Sequence, residues 1–327
     1  MSNLQFSTCQ LNTSATFCSV TYQNLNKGTP VLVAIYNSGQ MRPSIIRLKV
    51  PNGKVQVVQQ STGADLPTDV ICSNSTDTTD CDLFFKDTFA SFSIGYYYLK
   101  PSTTSNQVTP QNFAPNTVYS INANQSIVSF ILHLKKNNIS PKTTQNLSSY
   151  VLTYCQDPAH QSCSTTQFSL KYNYYESYQT PGGQQSGAYI FRPTNKTIDN
   201  SLPYATLQSG SVYQGKNLLQ IHLNSPNIIA DLRIYNDLSN GVELQTFVNS
   251  ISISDGQGKE VVLIVEVPSI DNQNTFYTDS MGMEMQKRVL NYRPTWNLQV
   301  NQPASGNYYP IQSTIYIKDT QSGESLS

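Results

Sequence analysis

The stretch FYTDSMGMEMQKR, residues 276–288, decides the class of fold, because its side chains alternate with the period of a β-strand. Methionines at positions 281, 283 and 285 are separated by glycine and glutamate, which favours a strand over the helix that the composition would also allow. Three more motifs stand in order around this stretch: SGAYIFRP at 186–193, YRPTW at 292–296 and ASGNYYPIQSTIYIKD at 304–319.

Strand patterns also fill the rest of the chain. Residues 30–36 (PVLVAIY) are apolar almost throughout and predict a strand buried on both faces, whereas residues 46–50 alternate apolar and basic side chains, as in a strand with one wet face. Residues 281–287 and five longer runs are further predicted strands, and no long amphipathic helix is evident. We therefore expect an all-β protein. The five runs are 126–134, 217–223, 228–235, 242–253 and 260–267.

One segment divides the chain. PSTTSNQVTPQNFAPN, residues 101–116, has three prolines among small polar residues, which is the composition of a linker. The 327-residue length also suggests two domains. We expect a small β-sandwich domain over residues 1–100, the linker over 101–116, and a large antiparallel sheet assembly over 117–327.

Charge and hydropathy exclude two classes of partner. Net charge is zero, charged residues are 12% of the chain and no basic run occurs, so nucleic-acid binding is not expected. No apolar run approaches the roughly 18 residues that span a bilayer. The N-terminal MSNLQFSTCQLN lacks the features of a signal peptide, so the N-terminus by itself predicts a cytosolic start.

The cysteines predict the opposite compartment. They form three local pairs, Cys9 with Cys18, Cys72 with Cys81 and Cys155 with Cys163, each closing a short polar loop that a disulfide could link. Disulfides would imply an oxidising compartment and a true N-terminus further upstream, so that the chain is a fragment. The alternative is six free thiols in a reducing compartment.

Glycosylation signals agree with an oxidising compartment but are weak evidence for it. N-x-S/T triplets begin at six asparagines, and a chain so rich in Asn, Ser and Thr would contain about that many by chance. The six are Asn12, Asn74, Asn124, Asn138, Asn146 and Asn195.

No catalytic constellation is visible. His133 and His222 stand within apolar alternation and are predicted strand residues, while His160 lies in the loop between Cys155 and Cys163. None has the spacing of a metal site, and no nucleophile elbow or phosphate-binding loop occurs. The twenty acidic residues offer many carboxylate pairs, but the sequence does not show which of them converge.

In order and separation, the motifs resemble glycoside hydrolase family 38, and within it the lysosomal-type α-mannosidases. CQLNTSATFC at 9–18 followed by VLVAIYNSG at 31–39 is similar to the start of that family's small β domain. The similarity continues through SGAYIFRP and FYTDSMG to IYIKD at 315–319. It implies a small β-sandwich followed by part of a galactose-mutarotase-like supersandwich.

The resemblance also implies what this sequence lacks. In the family, an upstream α/β domain carries the aspartate nucleophile and a zinc ion held by two His and two Asp. This chain would then be the non-catalytic β portion of a retaining α-mannosidase, with no catalytic residue or metal ligand of its own. Its implied partners are mannose-containing glycans and the missing catalytic domain, and its implied location is lysosomal or secreted.

One substrate-binding residue follows from the resemblance. The tyrosine of the family's SGAY motif contacts the mannosyl unit at zinc, and here that residue is Tyr189. A phenol offers a hydrogen-bond donor and an acceptor on a rigid stem. On the residues alone, Tyr189 could equally be a buried strand tyrosine.

Other motif residues are expected to be structural: Arg192, Asp279, Arg288 and Trp296. Met281 departs from the family's turn, where Asn or Gly would accept a left-handed conformation more easily. Two alternatives to a partial mannosidase stay open, a free-standing carbohydrate-binding module without hydrolase activity and a structural, adhesin-like β protein.

Overall fold

The computed structural model describes residues 10–326 apart from residues 12–15, 18, 40–41, 73–80, 114–117, 124–125, 135–147, 156–162, 180–182, 184, 188–189, 195–200, 206, 208, 237–240 and 324. Strands make up nearly all regular structure in this part, with one α-helix of 8 residues. The all-β prediction is confirmed. Within the described residues, no helix combines the length and the apolar character that crossing a membrane requires.

The N-terminal strands form a sandwich of two sheets. The elements are β1 Gln10–Leu11, β2 Thr16–Phe17, α1 Ser19–Asn26, β3 Val31–Tyr36, β4 Arg42–Val50, β5 Val55–Gln59, β6 Asp65–Leu66, β7 Thr68–Cys72, β8 Cys81–Phe89 and β9 Ile94–Pro101. One sheet has the order β1-β2-β4-β8-β7 and the other β3-β9-β5-β6. Alternate apolar side chains of both sheets fill the space between them, among them Leu83, Phe85 and Leu99.

Strand β3 corrects one prediction. The apolar run 30–36 was expected to be buried on both faces, but β3 pairs only with β9 and lies at the edge of its sheet. Val33 faces the core, whereas Leu32 and Tyr36 are exposed on the outer face. By contrast, the strand predicted over 46–50 with one solvent-exposed face is confirmed. Leu48 and Val50 of β4 are buried, and Arg47 and Lys49 are partly exposed.

Disulfides occur where the spacing predicted them. Cys72 and Cys81 are joined across the ends of β7 and β8, with their Cα atoms 4.0 Å apart. Cys163 is also disulfide-bonded, and the strand register sets Cys155 opposite it. The alternative of free thiols is therefore wrong for the described cysteines, while Cys9 and Cys18 lie outside the described residues.

The middle of the chain adds two further antiparallel sheets. Its strands are β10 Gln111–Asn112, β11 Val118–Ala123, β12 Ser126–Leu134, β13 Ser148–Cys155, β14 Cys163–Glu176, β15 Leu202–Ala205, β16 Ser209–Gln214, β17 Leu218–Asn224, β18 Ile228–Tyr235, β19 Glu243–Val248 and β20 Lys259–Glu266. One sheet has the order β10-β16-β17-β18-β19, and the other the order β11-β12-β13-β14-β15 with β20 also on β14. Tyr150 and Tyr172 of the second sheet share a core with Ile221 and Leu232 of the first.

Most predicted strands in this region agree with the observed strands, but the strand predicted over 242–253 was too long. Strand β19 ends at Val248, and residues 249–258 turn back toward β20. The hydroxyl of Ser252 and the carboxylate of Asp255 bond locally, and Gly256 has a φ of 73°. Short polar side chains that bond nearby backbone compete with strand pairing, which explains the early end.

The N-terminal sandwich contacts the β10–β19 sheet through an apolar cluster. Ile71 and Phe84 of the sandwich pack against Tyr213 and Leu218 of that sheet. The predicted linker takes part, since its Val108 packs against this cluster and its Gln107 pairs in parallel with Val70 of the sandwich. The domain boundaries at 100 and 116 stay a prediction.

The C-terminal part forms a small, largely exposed sheet. Its elements are β21 Thr275–Ser280, β22 Glu284–Val289, a 3-10 turn at Ser305–Asn307, β23 Ile315–Lys318 and β24 Ser325–Leu326, in the sheet order β22-β21-β23-β24. The strand predicted over 281–287 is confirmed from residue 284 onward. Residues 281–283 instead form the turn of the β21–β22 hairpin, because Met283 N donates to Ser280 O at 2.9 Å.

Candidate functional site

The SGAYIFRP segment lies against the residues that follow β14. Thr194 N donates to Glu176 O at 2.7 Å, and Tyr178 N donates to Arg192 O at 2.9 Å. Ser186 N in turn donates to Tyr178 O at 3.2 Å. The backbone on both sides of the motif is thus tied to one short stretch, residues 176–178.

The two residues that flank positions 188 and 189 are hydrogen-bonded to each other. Gly187 and Ile190 exchange both backbone hydrogen bonds, at 3.0 and 3.2 Å, and Ser186 Oγ accepts from Arg192 N at 3.2 Å. These bonds hold the positions that flank residues 188 and 189. Tyr189 itself lies outside the described residues, so its role stays a prediction.

Aromatic rings pack against Phe191 of the motif. Phe191 meets Tyr175 edge to face at 5.5 Å and Tyr308 at 5.8 Å. Ser305 Oγ donates to Phe191 O, which ties the motif to the 3-10 turn. The guanidinium of Arg192 lies 4.2 Å from the centre of the Tyr178 ring, so Arg192 has the structural contact that we expected.

The described groups of this arrangement are of kinds that hydrogen-bond to and pack against a ligand. The described contacts of the motif come from backbone groups, hydroxyls, aromatic rings and one guanidinium, which suit a neutral, hydroxyl-rich ligand.

Asp279 is structural, as predicted. Its buried carboxylate accepts from the backbone N–H groups of Gln312 at 2.8 Å, Ser313 at 3.0 Å and Thr314 at 3.2 Å, and from Gly282 N at 3.1 Å. These donors, Ser313 first, hold the pKa of Asp279 well below its usual range. An ionised carboxylate therefore joins the β21–β22 turn to the segment before β23.

Arg288 is structural too. Its Nε donates to Thr278 Oγ1 at 3.0 Å, and its guanidinium lies 4.6 Å from the ring centre of Tyr309. Arg293 approaches the same ring at 4.9 Å. Trp296 is exposed, and its predicted structural role stays a prediction.

The turn at Met281 has a left-handed backbone, which Asn or Gly would accept more easily than Met. Met281 has a φ of 53° and Gly282 a φ of 69°, so both adopt the left-handed region typical of a type I′ hairpin turn. Gly tolerates this conformation, but a Met side chain crowds its own backbone there.

We expect Met281→Asn to raise the free energy of unfolding by about 1 kcal/mol, since Asn enters the left-handed region more readily than Met. Urea unfolding followed by circular dichroism measures the change. Met283→Asn is the matched control, because Met283 is an exposed neighbour in the same turn without a positive φ. Equal effects of the two substitutions would show that the left-handed backbone at Met281 costs nothing.

The histidines do not form a metal site in the described part of the chain. His222 lies on β17 and His133 on β12, as predicted, and His160 is outside the described residues. His222 Nδ1 lies 2.7 Å from Asp231 Oδ1. Among the described residues, no three His, Cys, Asp or Glu side chains could hold one ion, so these residues do not fit the implied zinc.

The structure adds residues that sequence patterns had not singled out. Tyr178, Ser305 and Tyr308 support the SGAYIFRP motif, yet Ser305 is 114 positions away from its partner Phe191. No local signal marks such a contact. The glycosylation triplets are not tested, because all six of their asparagines lie outside the described residues.

Comparisons with known proteins agree with these motifs. The model of the glycosyl hydrolases family 38 C-terminal domain matches residues 149–327. The lysosomal alpha-mannosidase of Dictyostelium discoideum is 33% identical over 309 residues, which cover 90% of this chain and 29% of that protein.

Two further relatives carry similar names. A probable alpha-mannosidase of Arabidopsis thaliana is 29% identical over 349 residues, covering 98% of this chain and 32% of its own length. The lysosomal alpha-mannosidase of Bos taurus is 40% identical over 139 residues, covering 42% of this chain and 13% of its own length. The chain thus spans less than a third of the length of these relatives.

Proposed function

Because the chain belongs to glycosyl hydrolase family 38, we propose that it is the non-catalytic β portion of a zinc-dependent, retaining α-mannosidase. The whole enzyme would hydrolyse terminal α-mannosyl residues of glycans. An α/β domain outside this sequence would hold the zinc ion and the nucleophile. This chain would complete the substrate pocket.

The tied SGAYIFRP motif is the observation that carries this proposal. Backbone hydrogen bonds fix Gly187 and Ile190, and aromatic contacts fix Phe191 directly after them. A substrate-binding side chain needs such rigid support, because a small misplacement weakens its contact with the transition state. We propose that Tyr189, between these anchors, contacts the mannosyl unit.

Exposed apolar side chains support a catalytic domain as the partner. Leu263 and Val265 of β20, Ile315 of β23 and the hairpin residues Met281 and Met283 all face solvent. Exposed apolar side chains that form a contiguous patch mark a protein–protein contact. We propose that the α/β domain packs over part of it.

The relatives' names and the Cys72–Cys81 disulfide favour a lysosomal or secreted location. Reduced thiols at Cys72 and Cys81 in the protein isolated from its cells would contradict it.

A chimaera tests the proposal. The matching segment of the Dictyostelium relative is replaced by this chain, and release of the aryl alcohol from an aryl α-mannoside is measured with zinc present. We expect activity from the chimaera, and none from this chain alone or from the relative without the segment. Zinc-dependent turnover by the chain alone would overturn the non-catalytic assignment. An inactive but folded chimaera would favour the free-standing carbohydrate-binding module instead.

In this chimaera we expect Tyr189→Phe to lower kcat/KM by about 10- to 100-fold, because one hydrogen bond to a sugar hydroxyl is lost in a desolvated pocket. Tyr178→Phe is the matched control, since it keeps the ring beneath Arg192 and should change kcat/KM less than about twofold. Equal kcat/KM values for the two variants would show that Tyr189 does not contact the substrate.

A further inference from the structure

A small pocket opens at one end of the N-terminal sandwich, where the β8–β9 connection meets the end of β5. Gln59, Asp87, Ser93 and Tyr96 are among its lining residues, and it encloses about 190 Å³. Pockets for drug-sized ligands enclose roughly 300–1,000 Å³, so this one suits a single ring with substituents in solvent.

Its polar wall is held in place by hydrogen bonds. Asp87 Oδ2 accepts from the hydroxyl of Tyr97 at 2.7 Å and from Gln59 Nε2 at 2.8 Å, and Asp87 Oδ1 accepts from Thr88 N at 2.7 Å. Burial, and then the Asp87 carboxylate, raise the pKa of Tyr97, so the phenol stays protonated and keeps donating. These hydrogen bonds hold the Asp87 carboxylate in one orientation. Its oxygens can still accept a further hydrogen bond from a ligand hydroxyl.

Its outer rim is apolar and aromatic. Tyr96 and Ile94 of β9 point to the outer face of the sheet, and Tyr96 is 44% exposed. Tyr36 of the edge strand β3 pairs directly with Ile94 and is also exposed. An aromatic face next to fixed polar groups is what the mixed surface of a sugar ring requires, because its C–H groups and hydroxyls point in different directions.

The adjoining turn displays a strained aromatic residue. Phe92 has a φ of 52° and is 70% exposed, although a bulky side chain in this conformation is rare. Phe92 N donates to Gly39 O at 3.1 Å, and Asn37 Nδ2 to Ala90 O at 2.8 Å, which hold the turn. Strain of this kind persists where the surrounding structure enforces it, and it concentrates at ligand sites.

We propose that this pocket binds a neutral oligosaccharide, with one sugar ring against Tyr96 and its hydroxyls on Asp87, Gln59 and Ser93. No Lys or Arg stands among the described lining residues and one carboxylate does, so a phosphate or an acidic peptide would be repelled. The site lies on the N-terminal sandwich and does not depend on Tyr189. It therefore goes beyond the proposed function and would give the protein a second contact with a glycan.

Calorimetric titration of the 327-residue chain with a branched oligomannose glycan tests the proposal. We expect Tyr96→Ala to weaken binding about tenfold or more, as the loss of a central aromatic contact does. Tyr98→Ala is the matched control, because Tyr98 lies two residues along the same strand and face but does not line the pocket. The Tyr98→Ala variant should bind the glycan as tightly as the unmodified chain.

Phe92 does not line the pocket but is exposed on the turn beside it, so Phe92→Gly tests whether the glycan also reaches this ring. Removing the side chain relieves the strain, so we expect the melting temperature to hold or rise while glycan affinity falls about threefold or more. A fall in both would mean that Phe92 serves the fold, and would count against the pocket.

Tyr189→Ala distinguishes this site from the proposed substrate site. Binding that survives in Tyr189→Ala and is lost in Tyr96→Ala supports the pocket. Binding that is lost in Tyr189→Ala and unchanged in Tyr96→Ala overturns it, and leaves the proposed function standing. Equal losses in Tyr96→Ala and Tyr98→Ala would also overturn it, since they would point to a broad apolar face that packs against another protein surface.

Discussion

We expect Arg233→Met to lower the free energy of unfolding by about 3–5 kcal/mol, because it leaves buried acceptors without their cation. Arg233 lies on β18 and its side chain is 1% exposed. The guanidinium donates to Asp231 Oδ2 at 2.8 Å and Gln220 Oε1 at 2.7 Å. It also donates to Glu243 Oε1 at 2.8 Å and Gln245 Oε1 at 3.0 Å, so four side chains on β17, β18 and β19 depend on it.

The same network reaches the N-terminal sandwich. Arg47 of β4 donates to Gln245 Oε1 at 3.0 Å and pairs with Asp82 at 2.6 Å. The loss of Arg233 therefore also disturbs the contact between the two parts of the molecule. We expect Arg47→Gln combined with Arg233→Met to cost less than the sum of the single changes, because both cations share Gln245.

Urea unfolding followed by circular dichroism measures the effect of Arg233→Met. Lys171→Met is the matched control, because it removes a close ion pair, Lys171 with Glu266 at 2.5 Å, from a more exposed place. That change should cost less than about 1 kcal/mol. A similarly small loss for Arg233→Met would show that the buried network contributes little net stability.

The second large effect is expected at Asp69. Asp69 is 2% exposed, and its two oxygens accept from the backbone N–H groups of Lys216 at 2.8 Å and Asn217 at 2.6 Å. Asn217 Nδ2 donates back to Pro67 O at 2.9 Å. We expect Asp69→Ala to cost about 3 kcal/mol, because two backbone donors at the contact between the sandwich and the β10–β19 sheet lose their acceptor.

Gly215 shows how closely the two parts approach there. A Cβ atom at Gly215 would lie 2.5 Å from the Asp69 carboxyl carbon, so only glycine lets this backbone reach the carboxylate. Limited proteolysis within residues 101–116, together with the unfolding midpoint, measures the loosened contact in Asp69→Ala. Asp65→Ala is the control, since Asp65 is an exposed carboxylate four positions earlier. Unchanged cleavage in Asp69→Ala would mean that apolar packing alone holds the contact.

Local features of the chain were predictable from its sequence because they depend on neighbouring residues. Side-chain alternation predicted the strand class, and β12 and β18 were predicted with their observed bounds. Cysteine spacing predicted the Cys72–Cys81 disulfide. The motifs also predicted the family, which the match over residues 149–327 confirmed.

What only the tertiary structure decided depends on which distant segments meet. An apolar run such as 30–36 does not show whether a second strand covers it, and β3 proved to be an edge strand with an exposed face. Asp69 meets Asn217 across 148 positions, and Ser305 meets Phe191 across 114. Periodicity and propensity are properties of a short window of chain, whereas these contacts follow from the packing of whole sheets. The sequence alone therefore determined the strands, the disulfide and the family, while the fold decided the supports of the SGAYIFRP motif and the pocket beside Tyr96.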